Sequence, residues 1–256
     1  MKNILTILLS LLVSNSAIAD QPKAWQFGFQ ESATEIMQEI TWLHDILLFI
    51  ITAIVLIVFG LLSYICIRFN ATNNPIPATF SHNVTIEIIW TVIPTIILFI
   101  IAIPSFQILH KVEHTPKSDF IIKVVAAQWY WNYEYPTEGI KYDSNMLEDN
   151  DLKEGQKRLL DVDNPLVVPQ GATIKFLITS QDVIHSFAIP SAGIKTDAIP
   201  GKTNEAHIKI DRLGTYYGQC SELCGVHHAF MPIMLKVVTK EEYAYWLEQT
   251  KKQFSL

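Results

Sequence analysis

The segment from residue 220 to residue 231 gathers five side chains that bind soft metal ions. It supplies the thiols of Cys220 and Cys224, the imidazoles of His227 and His228, and the thioether of Met231. These ligand types favour copper, and a His and Cys set with a weak axial Met is typical of copper sites that transfer electrons. The segment therefore predicts a copper site with an electron-transfer role.

The presence of two cysteines predicts two copper ions, because a mononuclear blue-copper site uses one thiolate. Two thiolates can each bridge both ions, and each ion then needs one terminal imidazole. The loop supplies one histidine, and His185 is the best candidate for the other. A lone histidine in an apolar strand is more often a core residue, but the incomplete loop favours a ligand here.

Three other interpretations explain fewer of these side chains. A disulfide between the cysteines is compatible with an oxidising compartment, but it leaves the histidines and Met231 unexplained. Zinc would accept two cysteines and two histidines, but methionine is a poor zinc ligand and C-x-x-x-C-x-x-x-H is not a common zinc-finger spacing. A catalytic cysteine would not need a second one beside it.

The elements that must carry this loop begin with apolar runs. Residues 1–19 have Lys2, an apolar stretch and a small-x-small ending before Asp20, which predicts a secretory signal peptide. Residues 20–112 are predicted to form a two-helix anchor with spans at about 43–67 and 88–110, since the uncharged runs 46–67 and 88–110 are long enough to cross a bilayer. An uncleaved first anchor is the alternative to the signal peptide.

Residues 113–256 are predicted to be all-β. Short runs of β-branched and aromatic residues alternate with Gly and Pro, which indicates a Greek-key sandwich or barrel. The predicted strands are 120–127 with its continuation to 135, 158–162, 172–178, 183–189, 205–210, 214–219 and 231–238. A final helix begins at the capping box Thr239-x-x-Glu242, and Ala244, Trp246 and Leu247 are expected to face the sheet.

Composition agrees with a membrane location. Half of the 256 residues are hydrophobic, and the mean hydropathy is +0.24. The net charge of −6 makes nucleic acid an unsuitable partner, because phosphate binding needs a basic face. A basic protein partner is compatible with this charge.

The sequence resembles subunit II of the haem–copper cytochrome c oxidases from about Gln30 to Trp246. The most specific segments are Gln128–Trp131, Asp182–Ser186, Lys195–Gly201 and Tyr217–Met231. The resemblance implies a two-helix transmembrane hairpin followed by a cupredoxin-like domain.

The resemblance also implies a ligand set for the dinuclear centre called CuA. Cys220 and Cys224 would be the bridging thiolates, while Met231 and the backbone carbonyl of Glu222 would be weak axial ligands. His185 and His228 would be the terminal imidazoles; the residues alone leave His227 and His228 open, and the resemblance selects His228. The Glu222 side chain would help to hold a magnesium ion shared with subunit I.

Two further roles follow from the resemblance. Trp129 would be the residue at which electrons enter, whereas Trp131 or Tyr133 is expected to be ordinary strand packing. Glu87 would lie at the entrance of a proton pathway into subunit I. An ionisable residue at a membrane edge is often an interfacial anchor, which is the alternative for Glu87.

The function implied is that of an oxidase subunit that takes electrons from cytochrome c and passes them to haem in subunit I. Oxygen would be reduced to water there, coupled to proton pumping. Expected partners are subunits I and III, and cytochrome c on an acidic face. Between residues 134 and 163, nine acidic residues outnumber four basic ones, and Glu134, Glu138, Asp143 and Asp182 are the first candidates for docking.

The expected location is the bacterial inner membrane with the copper domain in the periplasm; a mitochondrial inner membrane is less favoured.

Three rival functions can be distinguished from that of an oxidase subunit by sequence features. A quinol-oxidising relative would lack the copper ligands, and a nitrous-oxide reductase would carry a large second domain. A copper-storage protein would expose its ligands and would not need Trp129 or Glu87.

Overall fold

The computed structural model describes residues 18–114 and 116–254. The chain forms two compact units: residues 39–111 are a helical hairpin, and the remaining described residues form a β domain. Most of the predicted signal peptide lies outside the described residues, so its cleavage stays a prediction.

Two long helices account for the hairpin, α1 (Glu35–Arg68) and α2 (Val84–Glu113). At 1.5 Å per residue they are about 51 and 45 Å long, which exceeds the roughly 30 Å hydrocarbon core of a bilayer. Both contain the predicted spans, and α2 continues through its two prolines. Apolar side chains such as Leu56 and Phe99 are 65% and 69% exposed, so these helices are suited to lipid rather than water.

Side-chain caps begin both long helices. The Oγ1 of Thr34 accepts a hydrogen bond from the backbone N–H of Met37 at 3.1 Å. The Oδ1 of Asn83 accepts bonds from the N–H groups of Thr85 and Ile86 at 3.1 and 3.2 Å. These bonds satisfy N–H groups in the first turn that have no partner within the helix.

The β domain contains two sheets packed as a sandwich. Its strands are β1 (Ile18–Asp20), β2 (Phe120–Ala127), β3 (Tyr130–Tyr135), β4 (Ile140–Ser144), β5 (Leu166–Pro169), β6 (Thr173–Ser180), β7 (His185–Ile189), β8 (Ile194–Ala198), β9 (Asn204–Lys209), β10 (Gly214–Cys220) and β11 (Pro232–Val238). One sheet has the order β5-β11-β10-β7-β8, with β1 also paired to β10, and the other has the order β4-β3-β2-β6-β9. The predicted all-β fold, a sandwich or barrel, is thus confirmed, and the two sheets select the sandwich.

The core lies between the two sheets, and strand alternation selects its members. On β3, the side chains of Trp131, Tyr133 and Tyr135 are buried while their neighbours are half-buried. This confirms the prediction that part of the aromatic run is packing, because successive strand residues point to opposite faces. The same buried cluster includes Cys220, Cys224 and Met231, so the candidate ligands belong to the core.

One predicted strand is wrong. Residues 158–162 form a turn, and only Val162 makes an isolated bridge, with Met146. The physical reason is Asp161, whose carboxylate accepts bonds from the backbone N–H of Lys157 at 3.1 Å and from the hydroxyl of Tyr217 at 2.8 Å. A side chain that bonds a nearby backbone group stabilises a turn in place of a strand.

Within residues 113–256, three strands escaped prediction from the sequence: β4, β5 and β8. They are only four or five residues long. Pairing with their neighbours stabilises them, since β4 pairs with β3, β5 with β11 and β8 with β7. Such short segments carry little periodicity of their own, so tertiary contacts decide their structure.

The last helix, α3 (Lys240–Phe254), begins at the predicted capping box. Thr239 N–H donates to the Glu242 carboxylate at 2.9 Å, and Glu242 N–H donates to the Thr239 hydroxyl at 3.2 Å. Trp246 and Leu247 pack on the core as predicted. The prediction for Ala244 is wrong: it is exposed, and Tyr243 is buried in its place.

Candidate metal centre

Cys220 and Cys224 lie side by side at one end of the core. Cys220 is the last residue of β10, and Cys224 follows in the loop before β11. Each residue is 3% exposed, and their Sγ atoms are 3.8 Å apart. A disulfide needs a sulfur–sulfur distance of about 2.05 Å, so the two are neighbouring free thiols.

His185 comes to the thiols from the neighbouring strand. It opens β7, which pairs with β10 so that Phe187 lies opposite Cys220. Its ring is fully buried, and its Nδ1 lies 3.8 Å from the Sγ of Cys220. The ligand atoms of His185, Cys220 and Cys224 all lie within 4.8 Å of one another.

The loop after Cys224 adds an imidazole and a thioether. The Nδ1 of His228 lies 3.5 Å from the Sγ of Cys224, and the Sδ of Met231 lies 3.7 Å from the same sulfur. His227 turns away, and its ring packs edge-on against Trp129 with the centroids 4.7 Å apart. The geometry therefore favours His228 over His227 beside the thiols.

Glu222 presents two different groups. Its backbone carbonyl oxygen lies 3.4 Å from the Sγ of Cys220, which places it at the edge of the sulfur pair. Its side chain belongs to an exposed residue. The carbonyl is therefore positioned to complete the ligand cage, while the carboxylate is directed to the surroundings.

Trp129 and Gln128 brace the cysteine loop from the neighbouring sheet. The carbonyl of Cys224 accepts a bond from the Trp129 indole N–H at 3.2 Å and from the Gln128 amide at 2.8 Å. Gly225 has a φ of +121°, and a Cβ added there would lie 3.0 Å from Cζ2 of Trp129. The indole and the loop backbone are thus in direct contact, which only a glycine allows.

The two thiols differ in their acidity. Burial opposes ionisation of Cys220, but the hydrogen bond with His185 and bonds with backbone groups lower the pKa of its thiol. Burial and the neighbouring Cys220 raise the pKa of the Cys224 thiol. Two thiolates 3.8 Å apart in a buried site repel each other, so both can be ionised only with positive charge between them.

The carboxylate of Asp182 fixes the orientation of His185. A hydrogen bond of 2.9 Å joins Asp182 Oδ1 to His185 Nε2, which leaves Nδ1 directed at the thiols. Asp182 also accepts the N–H of Gln128 at 2.6 Å and of Val183 at 2.6 Å. Although burial works the other way, these bonds lower the pKa of Asp182. A carboxylate behind a metal-binding histidine typically fixes its tautomer and ring orientation.

This donor set fits copper. Two thiolates, two imidazoles, a thioether and a carbonyl are soft-to-borderline ligands in a nearly closed, buried cage. A cation between the thiols would also offset the repulsion between them.

The roles of Asp182 and Gln128 at this site were not predicted from the sequence. Asp182 was predicted only as a docking residue, and the contact of Gln128 with the cysteine loop was not predicted. The spacing of three residues between Asp182 and His185 was a usable signal, whereas Gln128 stood out only as the first residue of the segment Gln128–Trp131, with no role of its own.

Glu87 lies in the first turn of α2. Its carboxylate accepts a hydrogen bond from the backbone N–H of Asn83 at 3.3 Å. It therefore helps to cap the helix, and it is far in sequence from the cysteine loop.

The acidic face is smaller than the sequence suggested. Asp161 is only 4% exposed and turned towards Tyr217, so it contributes no surface charge. Asp182, a docking candidate outside this segment, has its carboxylate hydrogen-bonded to the ring of His185. The other eight acidic residues of the 134–163 segment are half-buried or exposed. They are Glu134, Glu138, Asp143, Glu148, Asp149, Asp151, Glu154 and Asp163.

Comparison with known proteins decides the family. The family model described as "Cytochrome C oxidase subunit II, periplasmic domain" matches residues 120–238. The model described as "Cytochrome C oxidase subunit II, transmembrane domain" matches residues 22–108. The chain belongs to the cytochrome c oxidase subunit II family. It is therefore a subunit of cytochrome c oxidase, as the resemblance had implied.

Relatives of subunit II agree across most of the chain. A probable cytochrome c oxidase subunit 2 of Rickettsia bellii is 56% identical over 253 residues, covering 98% of this chain and 94% of the relative. Subunit 2 of Zea mays is 45% identical, covering 90% of this chain and 92% of the relative. The predicted family and enzyme class are thus confirmed.

A solved structure confirms the fold of the subunit II β domain. The periplasmic domain of subunit II (CoxB) of Bradyrhizobium japonicum is 50% identical, with a TM-score of 0.52. The match covers 56% of this chain and all of that domain. The expected fold, a helical hairpin followed by a cupredoxin-like domain, is therefore confirmed. The roles of the individual site residues stay predictions.

Proposed function

We propose that this subunit II accepts electrons from a cytochrome c at a dinuclear CuA centre and passes them to haem in subunit I. Oxygen would be reduced to water there, coupled to proton pumping. The observation that carries the proposal is the buried cage around two free thiols. Four donor groups lie 3.4 to 3.8 Å from one or the other sulfur, a set that suits copper and little else.

In this proposal each part of the cage has a separate task. Cys220 and Cys224 would hold both ions, His185 and His228 would each hold one of them, and Met231 and the Glu222 carbonyl would be weaker ligands. Copper supplies a reversible one-electron couple.

The protein keeps this cage dry and rigid. Cys220, Cys224, His185 and Met231 are each at most 3% exposed. Asp182 holds the His185 ring from behind. A fixed, water-excluded ligand set changes little between oxidation states, which favours fast electron transfer over oxygen or hydrolytic chemistry at this site.

Trp129 is proposed as the point of electron entry. Its ring is half-buried, so one part is available to a docked donor. Its indole N–H is bonded to the carbonyl of Cys224 at 3.2 Å. A partner in contact with the ring would be connected to a bridging cysteine through one hydrogen bond and a few covalent bonds.

The donor is proposed to be a basic cytochrome c that docks on the acidic residues. Opposite charges on the two proteins would raise the association rate and make it salt-dependent. Replacing Glu138 and Asp143 by glutamine and asparagine should slow association at low ionic strength and leave the high-salt rate nearly unchanged. Stopped-flow reduction of the oxidase at several salt concentrations measures this. Equal slowing at all salt concentrations would contradict the electrostatic role.

The Glu222 carboxylate is proposed to help hold a magnesium ion shared with subunit I. Magnesium prefers hard oxygen ligands and binds through one or two carboxylates. The side chain is exposed on the cysteine loop, so a partner subunit can supply the other ligands. Subunit III is proposed as a further partner of the assembled oxidase.

Glu87 is proposed to lie at the entrance of a proton pathway into subunit I. Glu87→Gln separates this role from helix capping, because glutamine still offers an oxygen to the N–H of Asn83. Proton uptake by the assembled oxidase should fall while the helix content of the chain stays the same. Unchanged proton uptake would leave Glu87 with its structural role alone.

The chain is proposed to reside in a bacterial inner membrane with its β domain in the periplasm. The two exposed apolar helices and the bacterial relatives support this location. Removal of the signal peptide would leave the N-terminus on the export side, and two spans would return the chain there.

Copper analysis of the purified full-length chain tests the central proposal. Metal content should be two copper ions per chain, and the paramagnetic spectrum should show one unpaired electron shared equally by two copper nuclei. The Cys224→Ser variant should lose this shared signal, and Cys66→Ser, which changes an exposed cysteine of α1, should keep it. One copper ion per wild-type chain would refute the dinuclear centre.

A further inference from the structure

The backbone carbonyl of Met231 accepts hydrogen bonds from both sheets. The indole N–H of Trp131, in β3, reaches it at 3.2 Å. The backbone N–H of Cys220, in β10, reaches it at 3.3 Å. Met231 itself lies just before β11, so these two bonds hold its backbone where no strand pairing does.

The indole of Trp131 is fully buried and packs against two other rings. It is 0% exposed, and its ring packs edge-on against Phe187 at 5.3 Å and lies 6.3 Å from the ring of His185. An indole N–H can only donate, and a buried donor without a partner is costly. The Met231 carbonyl therefore has a fully buried donor that is packed against two rings.

The position of that carbonyl controls the position of the thioether. The Sδ of Met231 lies 3.7 Å from the Sγ of Cys224. A methionine side chain has several rotatable bonds and adapts its path readily. Its sulfur stays at a defined distance only when its backbone is held.

We propose that Trp131 is a positioning residue that holds the Met231 thioether beside the sulfur of Cys224 and thereby sets the reduction potential of the copper centre. This inference rests on the proposed function. The axial ligand tunes the potential of copper–thiolate sites. A looser thioether stabilises Cu(II) less, so loss of the indole N–H should raise the potential.

A purely structural role for Trp131 makes a different prediction. A buried tryptophan fills volume, and its replacement lowers stability whatever it bonds to. Trp131→Phe keeps an aromatic ring and removes the N–H. A volume effect alone would lower the unfolding temperature and leave the reduction potential of the centre unchanged.

The test uses the full-length chain, purified in detergent and loaded with copper. Trp131→Phe should change the one-electron reduction equilibrium by at least about threefold towards Cu(I), which is about 30 mV at 59 mV per tenfold. Tyr133→Phe is the matched control, since Tyr133 is also 0% exposed and lies on the same face of β3. It should leave the equilibrium unchanged. An equal potential in wild type and Trp131→Phe would overturn the inference.

A second comparison tests the route through the thioether. Met231→Leu removes the sulfur but keeps the backbone carbonyl. In that background Trp131→Phe should change the potential much less than it does in wild type, because interacting residues are not additive. An equal change in both backgrounds would overturn the route through Met231.

One measurement needs no variant and therefore survives a folding failure. In the native chain, the Trp131 indole proton should exchange with solvent far more slowly than that of Trp25, which is 95% exposed. NMR of the 15N-labelled chain measures both. Comparable exchange would overturn the inference even if copper binds as proposed, whereas failure of the proposed function would appear as a wild-type chain without a copper pair.

Discussion

Replacing Gly225 by alanine should destabilise the β domain and disturb Trp129. Gly225 has a φ of +121°, a conformation that costs other residues about 1–3 kcal/mol. The new Cβ would lie 3.0 Å from Cζ2 and 3.3 Å from Nε1 of Trp129. Ordinary carbon contacts are about 3.5–4.0 Å, so the indole must move.

The expected cost combines both effects. Overpacking of a tight contact costs about 1–3 kcal/mol, and with the backbone strain we expect a total of about 3 kcal/mol. That corresponds to roughly a hundredfold change in the folding equilibrium. The displaced indole would also lose its bond to the Cys224 carbonyl, so electron entry should slow.

Gly155→Ala is the matched control. Gly155 also has a positive φ, +86°, but a Cβ there would meet nothing within 4 Å. It should cost about 1–2 kcal/mol from backbone strain alone. The difference between the two variants therefore measures the contact with the Trp129 and Gln128 side chains.

Urea unfolding of the isolated β domain measures these costs, since the related Bradyrhizobium japonicum domain has been solved on its own. Electron entry is followed by the rate of reduction by cytochrome c in the assembled oxidase. If Gly225→Ala costs no more than Gly155→Ala and reduction stays fast, the bracing of the cysteine loop by Trp129 is refuted.

Three further predictions follow from the same contacts. Asp182→Asn should weaken copper binding by about 10–100-fold, because His185 loses its orienting carboxylate; competition with a chelator measures it, and Asp197→Asn, a carboxylate paired with Lys195 on β8, should have no effect. Burial raises the pKa values of Tyr133, Tyr135 and Tyr142. Their contribution to stability is thus fully present below pH about 10 and is lost as the pH rises further; the far-ultraviolet circular dichroism should be retained up to about that pH and lost above it, and a loss that begins at neutral pH would contradict this. Thr239→Ala should cost about 1 kcal/mol through loss of the α3 cap, measured by thermal unfolding against the exposed Thr203→Ala; equal costs would argue against the cap.

Local patterns in the sequence were sufficient to predict most helices and strands and most of the candidate metal ligands. Two uncharged runs of bilayer length predicted the helices, because backbone groups in lipid must be satisfied within the segment. The capping box at Thr239 predicted the start of α3, because its bonds join residues three apart. Cys220, Cys224 and Met231 were recognisable because they lie within twelve residues of one another.

Contacts between distant residues required the tertiary structure. The sequence left His227 and His228 equivalent, and the loop conformation places His228 beside Cys224 while His227 packs on Trp129. The segment expected to be a strand, 158–162, became a turn because Asp161 bonds to the backbone N–H of Lys157 and also to Tyr217, which is 56 residues away. The bond between Trp131 and Met231 spans 100 residues and joins the two sheets. Pairings at such separations depend on sheet order and register, and residue types in one local window do not encode either.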